Sequence, residues 1–282
     1  MRLRYATLAL AGLMLASCAG PDRRPLVDPF PLRFPLAEAG TLEIEGRVVG
    51  QPWAKDGVVY LATSDGYQTA VVVPSRSVLW RRPGVEGTSA KEDTAVPEDP
   101  RKPVLRFEGN RLGAFDGKGG EIWKFETGGD FFAAPALAAG RVYLGDSERM
   151  FYCLAAATGH VKWRRRLQGA PLHPAVVTGG TVVVAASNSV VYFLSARGGS
   201  ILSWETVPSR VVYPPVSAGP LVLVSSASRD VTALDIKTQK RVGQYQASGP
   251  LVAGAVWSPP YVVLFVEDPE SGRQRLVFLR SR

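Results

Sequence analysis

The sequence predicts an all-β protein, a β-propeller of four-stranded antiparallel blades, probable copy number six, closed by an N-terminal strand in the last blade. Three observations predict it. Short apolar or alternating runs of four to eight residues follow one another between Gly, Asp, Ser and Thr, as strands between turns do. Two markers recur about every forty residues, the length of a four-stranded blade. They are Trp80, Trp123, Trp163 and Trp204, with Gly243 in the fifth place, and Pro52, Pro97, Pro135, Pro174, Pro215 and Gly254. Between the markers a second-strand signal occurs six times, as GVVYLAT, PVLRFEG, RVYLGDS, TVVVAAS, LVLVSSA and YVVLFVE.

Residues 128–167 show one complete unit, with FAAPAL, RVYLG, MFYCLA and HVKWRRRL as its four strands. Such a sheet cannot bury both faces alone, so it must stack on neighbours like itself. The 282 residues are 46% apolar, with 29 Gly and 22 Pro, which suits a sizeable core divided among many short strands.

Taken in order, residues 1–17 carry Arg2 and Arg4 and then an apolar run too short to span a bilayer, as in an export signal. The run ends in Leu15-Ala16-Ser17-Cys18, which resembles the lipobox of bacterial lipoproteins. That resemblance implies a lipidated Cys18 as the first mature residue. Ala19 in the next position implies, by the enterobacterial sorting pattern, the outer membrane facing the periplasm. Residues 18–40 hold prolines at 21, 25, 29, 31 and 35 and read as an extended tether reaching roughly 70 Å. Leu32, Phe34 and Leu36 have the alternative of docking on the folded domain. The propeller is expected over 41–282.

The sixth copy stops after its third strand. Thr41-Leu42-Glu43-Ile44-Glu45 alternates and is similar to the last-strand segment Lys124-Phe125-Glu126-Thr127. Residues 41–46 are therefore expected to form the outer strand of the sixth blade, which protects an edge and removes the seam. Copy two departs from the pattern through a charged, proline-containing stretch at 85–103, read as an exposed loop. Its Glu92 and Asp93 are candidate partner contacts, against the alternative of a loop that has merely drifted.

Ala155 to Trp163 (AAATGHVKW), Phe115 to Trp123 (FDGKGGEIW) and Leu234 to Val242 (LDIKTQKRV) resemble the A-x-D-x-x-T-G-x-x-x-W blade motif of pyrroloquinoline-quinone-type (PQQ-like) β-propellers. The resemblance covers about 240 residues. It implies that Trp80, Trp123, Trp163 and Trp204 lock each blade to its neighbour. In anchor, tether and motif the chain is similar to the BamB type of outer-membrane assembly lipoprotein, which has eight blades. Quinoprotein dehydrogenases of the same motif are about twice as long and carry an adjacent Cys-Cys pair, which this chain lacks.

The chemistry-bearing residues are few. The two cysteines, Cys18 and Cys153, give no disulfide framework, and Cys153 alternates within a strand as a small apolar residue would. His160 and His173 have no Cys or second His beside them, so no metal site is expected. A Gly-x-Ser-x-Gly elbow and a Walker loop are missing from the sequence. No cofactor and no catalytic residue is expected.

The formal charge is +8. Arg164, Arg165 and Arg166, with Arg81 and Arg82 in the equivalent place, form either a basic stripe for lipid headgroups or an acidic protein, or a solvated edge that deters aggregation. Nucleic acid is not an expected partner of an exported chain. The function expected is a monomeric, membrane-anchored scaffold with an envelope protein as partner, in outer-membrane protein assembly. A propeller binding a small molecule or glycan is the alternative, and an oxidoreductase stands third.

Overall fold

A computed structural model describes residues 31–84 and 103–282. Cys18, Glu92 and Asp93 lie outside the described residues, as do the export signal and most of the 85–103 stretch. Strand β1 (Leu36–Glu43) precedes the repeats. Blade one is β2 (Val48–Lys55), β3 (Val58–Thr63), β4 (Tyr67–Val72) and β5 (Ser77–Pro83). Blade two is β6 (Val104–Glu108), β7 (Arg111–Phe115) and β8 (Glu121–Glu126). Blade three is β9 (Ala136–Ala138), β10 (Arg141–Gly145), β11 (Met150–Ala155) and β12 (Val161–Arg166). Blade four is β13 (Val176–Thr178), β14 (Thr181–Ala185), β15 (Val190–Ser195) and β16 (Ile201–Thr206). Blade five is β17 (Val216–Ala218), β18 (Leu221–Ser225), β19 (Asp230–Asp235) and β20 (Arg241–Gln246). The last three strands are β21 (Leu251–Ser258), β22 (Tyr261–Glu267) and β23 (Gln274–Ser281).

The strands form six separate antiparallel sheets. Five have four strands, and blade two has three among the described residues. In the sixth sheet the order is β1-β23-β22-β21, with β1 antiparallel to β23 from Leu36↔Ser281 to Glu43↔Arg275. The outer strand thus spans 36–43, where 41–46 was expected. The shift arises because Leu36 is an inward residue in register with the apolar face of β23, while Glu45 is exposed.

The expected tether is correspondingly shorter. Leu32 and Leu36 are 3% and 6% exposed, and Phe34 packs between them against blades five and six. Alternation places all three on one side of an extended chain, and burying them outweighs leaving them in water. Residues 31–40, read as tether, are part of the folded domain.

Most blade faces are apolar, and five clusters fill the spaces between neighbours. Leu112 and Ala114 of blade two meet Val142 and Leu154 of blade three. Phe151 and Cys153 of blade three meet Val182 and Leu194 of blade four. Val183 and Phe193 meet Val222 and Leu234 of blade five. Leu223 and Ala233 meet Leu264 and Val277 of the sixth sheet, and Phe265 and Phe278 there meet Val59 and Leu61 of blade one.

Among the described residues no such cluster joins blades one and two. The blade-two face on that side carries Arg106, Glu108 and Arg111 in cross-strand register with Gly113 and each other, and Arg111 pairs with Glu121 at 2.5 Å. On blade one, the face turned away from the sixth sheet carries Trp53 stacked on Tyr60 at 4.3 Å, with Trp80 a further 6.1 Å along.

Replacing Leu32 and Leu36 together by Ala is expected to cost about 4 kcal/mol or more, since each buried Leu→Ala change costs about 2–5 kcal/mol. Urea unfolding measures this, and an unchanged midpoint would show that the 31–36 segment does not belong to the fold.

Candidate functional site: blade junctions and central cavity

Two of the four repeat tryptophans make the same contact. Trp123 Nε1 of blade two donates to the Ala156 carbonyl of blade three at 2.8 Å, and Trp163 Nε1 of blade three donates to the Ala196 carbonyl of blade four at 3.0 Å. The glycine of the next blade's last turn lies flat on each ring. A Cβ at Gly159 would lie 2.7 Å from the Trp123 ring, and one at Gly199 would lie 2.4 Å from the Trp163 ring. Both glycines have φ of 69°, a left-handed backbone that glycine adopts without strain. Glycine serves there for two reasons, conformation and clearance.

The other two tryptophans depart from the expected locking role. At the blade four–five junction the glycine position is Gln239, with φ of 60°. The indole's place on β16 is held by Ser203, opposite Phe193 as Trp163 is opposite Cys153. Trp204, one residue further on and opposite Tyr192, lies on the other face of the strand and is 61% exposed. At the blade one–two junction nothing lies within 4 Å of a Cβ built on Gly119, the glycine of the corresponding turn. Trp80 is instead half-buried on its own blade, with the Arg82 guanidinium 4.3 Å above the ring.

Blade five has Gly243 in the tryptophan position, and Phe34 fills the space. A Cβ on Gly243 would fall 2.2 Å from the Phe34 ring. An aromatic ring from the N-terminal segment therefore occupies, between blades five and six, the place the repeat elsewhere gives to its own tryptophan. Gly243 was the signal for this in the sequence, but it identified a gap and not the residue that fills it.

The arginine run divides by strand alternation. Arg164 and Arg166 are exposed, while Arg165 Nε donates to the Gly199 carbonyl of blade four at 2.8 Å. Arg141 Nη1 adds a bond to the Ala196 carbonyl at 2.5 Å. Arg165 is thus a junction residue, and Arg164 and Arg166 are left for solvent or a partner. The equivalent strand of blade four, β16, has no Lys or Arg, and it exposes Ile201, Leu202 and Trp204. It is an edge with none of the basic residues that guard β12.

A cavity of about 280 Å³ lies where the first strands converge, lined by Pro52, Trp53, Pro174, Pro215 and Trp257. Three of the first-strand markers that revealed the repeat, Pro52, Pro174 and Pro215, thus meet there. Among the described residues no ionisable side chain lines the cavity. Gln51 is engaged, accepting from the Gly254 amide at 3.2 Å, whereas the buried Trp53 Nε1 has no partner among the described residues. The arrangement suits an apolar group with a hydrogen-bond acceptor and offers no acid or base. His173, just outside, has a ring nitrogen 3.2 Å from the Val211 carbonyl, and burial holds its pKa below the usual value.

Cys153 is fully buried, and burial pushes its thiol pKa up, which suppresses the thiolate. Buried Asp146 accepts from the Met150 amide at 2.9 Å and the Tyr152 hydroxyl at 3.0 Å. Burial first, and Asp146 second, push the Tyr152 pKa up to about 12. Among the described residues there is no group of three or more His, Cys, Asp and Glu placed to hold a metal ion.

A family model described as outer membrane protein assembly factor BamB matches residues 108–263, more than half of the chain. The chain belongs to the BamB family. Among curated BamB proteins, that of Legionella pneumophila (strain Paris) is 22% identical over 192 residues, covering 65% of this chain and 50% of its own. That of Moranella endobia (strain PCIT) is 22% identical over 210 residues, covering 70% and 52%. The chain spans about half the length of these curated BamB relatives. The crystal structure of BamB from Moraxella catarrhalis shares the fold, with a TM-score of 0.50 at 13% identity over 85% of this chain and 77% of that one. The crystal structure of the computationally designed Ika8 protein has the same TM-score at 14% identity. The PQQ-like, all-β propeller expected from the sequence is the fold found.

Gly199→Ala is expected to destabilise by about 2–4 kcal/mol, from left-handed strain and the Trp163 contact together; urea unfolding measures it. Gln239→Gly should raise stability by about 1 kcal/mol, because glycine adopts this left-handed backbone without strain; urea unfolding measures it. Because the folded pKa of His173 is lowered, its contribution is present above its ordinary pKa of about 6.5 and is lost as pH falls through the folded value. The urea midpoint should therefore decline from about pH 7 downward, and less steeply in His173→Gln.

Proposed function

We propose that this chain is a lipid-anchored, non-catalytic scaffold in outer-membrane protein assembly, tethered by Cys18 and facing the periplasm. The observation that carries the reading is the match of more than half the chain to the BamB family. The geometry supports it in kind. The stack of sheets presents side chains on its outer strands, and Trp204, beside exposed Ile201 and Leu202, is the most exposed large apolar side chain among the described residues. Tryptophan on a rigid strand is the sort of side chain that anchors protein contacts. Arg164 and Arg166 are candidate polar contacts one blade away, and Glu92 and Asp93 are candidates on the 85–103 stretch.

The partner is an envelope protein of the assembly machinery, engaged by a monomeric propeller. A second reading, binding of a small apolar ligand, rests on the unpartnered Trp53 Nε1 at the central cavity. A ligand-dependent rise in melting temperature would support that reading.

Mild crosslinking of the tagged chain in cells, followed by purification, is expected to recover outer-membrane assembly proteins. Trp204→Ala should lower that yield severalfold with an unchanged melting curve. Recovery of no assembly protein would sink the scaffold reading. Palmitate labelling is expected for the wild-type chain and not for Cys18→Ser, and an unlabelled wild type would remove the anchor.

A further inference from the structure

The turns that join first to second strands and third to fourth strands lie at one end of each sheet. Val73 N–H bonds to the Gly57 carbonyl in blade one, and Ile236 N–H bonds to the Pro220 carbonyl in blade five. Both described chain ends emerge at this same end of the sixth sheet, where Arg282 N–H meets the Pro35 carbonyl and Arg33 N–H meets the Ser281 hydroxyl. Strand alternation puts Arg280 and Arg282 on one face of β23's end, and Arg33, bonded through its N–H to Ser281, stands beside them, all three exposed.

Arg76, on the adjoining turn of blade one, is tied to this corner by its bond to the Ala39 carbonyl at 2.9 Å. Lys55 and Lys237 are exposed on the same rim. Of the acids there, Asp116 accepts from the Lys118 and Gly120 amides, Asp235 accepts from the Thr238 amide, and Glu38 accepts from the Tyr245 hydroxyl. Asp56 is exposed. Cations outnumber acids at this rim, and they gather where the N-terminal chain leaves the domain.

We infer that this rim, centred on Arg33, Arg280 and Arg282, docks against an anionic phospholipid surface. Two features argue for that occupant. The charge is complementary to headgroup phosphates, and clustered basic residues near a bilayer strengthen attachment to anionic lipid. Between Cys18 and residue 31 there are twelve residues, which extend to at most roughly 40 Å even as a polyproline chain. An anchor at Cys18 therefore holds this rim, from which the chain leaves the domain, within roughly 40 Å of the bilayer. That second argument rests on the anchor proposed above. One weak anchor plus a basic patch is a recognised two-part attachment, and here it would also set which end of the propeller faces the membrane.

The test uses residues 19–282, which retain the whole described domain and lack Cys18, so that binding cannot come from an acyl chain. Co-sedimentation with vesicles of phosphatidylglycerol and phosphatidylcholine is expected at low salt, with release at high salt and no binding to phosphatidylcholine alone. Reversal of three charges (Arg33→Glu, Arg280→Glu, Arg282→Glu) should weaken binding by about tenfold or more. Arg164→Glu with Arg166→Glu, on blade three, should leave it unchanged. A set of Gln substitutions at the three arginines, checked by its melting curve, separates lost charge from lost folding.

Absence of binding to anionic vesicles, equal binding to neutral ones, or full retention by a folded triple variant would overturn the inference. Recovery of an acidic protein in place of vesicle binding would do the same. Each of these results leaves palmitate labelling at Cys18 untouched, so the two readings fail separately.

Discussion

A sheet with two apolar faces has only one way to leave water, which is to be covered on both sides by sheets like itself. At two junctions the covering has the same form, an indole of one blade under the glycine of the next blade's last turn, with the ring nitrogen bonded to a carbonyl beside that turn. The contact combines a large buried ring, a satisfied donor and a backbone that only glycine adopts easily. It sets the distance between blades two and three and between three and four, and the buried clusters of those junctions fit inside that spacing. Where one of the three ingredients is missing, the junction takes another form. At the four–five junction Ser203 stands in the indole's place and Gln239 in the glycine's, and Gly243 leaves a hollow that Phe34 enters.

These exceptions divide the molecule unevenly. Blades two to four and the sixth sheet with its neighbours are joined by continuous apolar clusters, whereas among the described residues none joins blades one and two, whose remaining faces carry arginines and glutamates on one and a short aromatic ladder on the other. A propeller normally hides its weakest joint by pairing the first strand of the chain with the last. Here β1 does pair with β23, so the ends of the domain share one sheet, and the least apolar joint is displaced to a place inside the chain.

Much of this was legible in the amino-acid sequence because strand and blade signals are local and repeated. Six copies of one second-strand pattern, with Trp and Pro at one period, carry the sheet count and the fold. The parts that were not legible depend on contacts distant in sequence. Phe34 and Gly243 are separated by more than two hundred residues, and neither alone predicts that one fills the other. Trp204 falls one residue beyond the place equivalent to Trp163, and strand alternation turns that single step into the opposite face of the blade. Arg165 could not be told from Arg164 and Arg166 until the strand's alternation was anchored to a neighbouring blade. The central cavity was foreshadowed by its prolines, but the unpartnered Trp53 nitrogen was visible only in three dimensions.

The pairing of β1 with β23 has a mechanical consequence. The chain enters the domain along the axis of β1, whose seven paired positions bond to an antiparallel neighbour held on its far side by β22. A pull arriving from the N-terminal direction loads those bonds in shear, so they must give way together and not one after another. Leu32 and Leu36, seated between blades, resist the same pull as wedges. Tension on the leading segment is thereby passed to the body of the sixth sheet before any single bond at the end can peel.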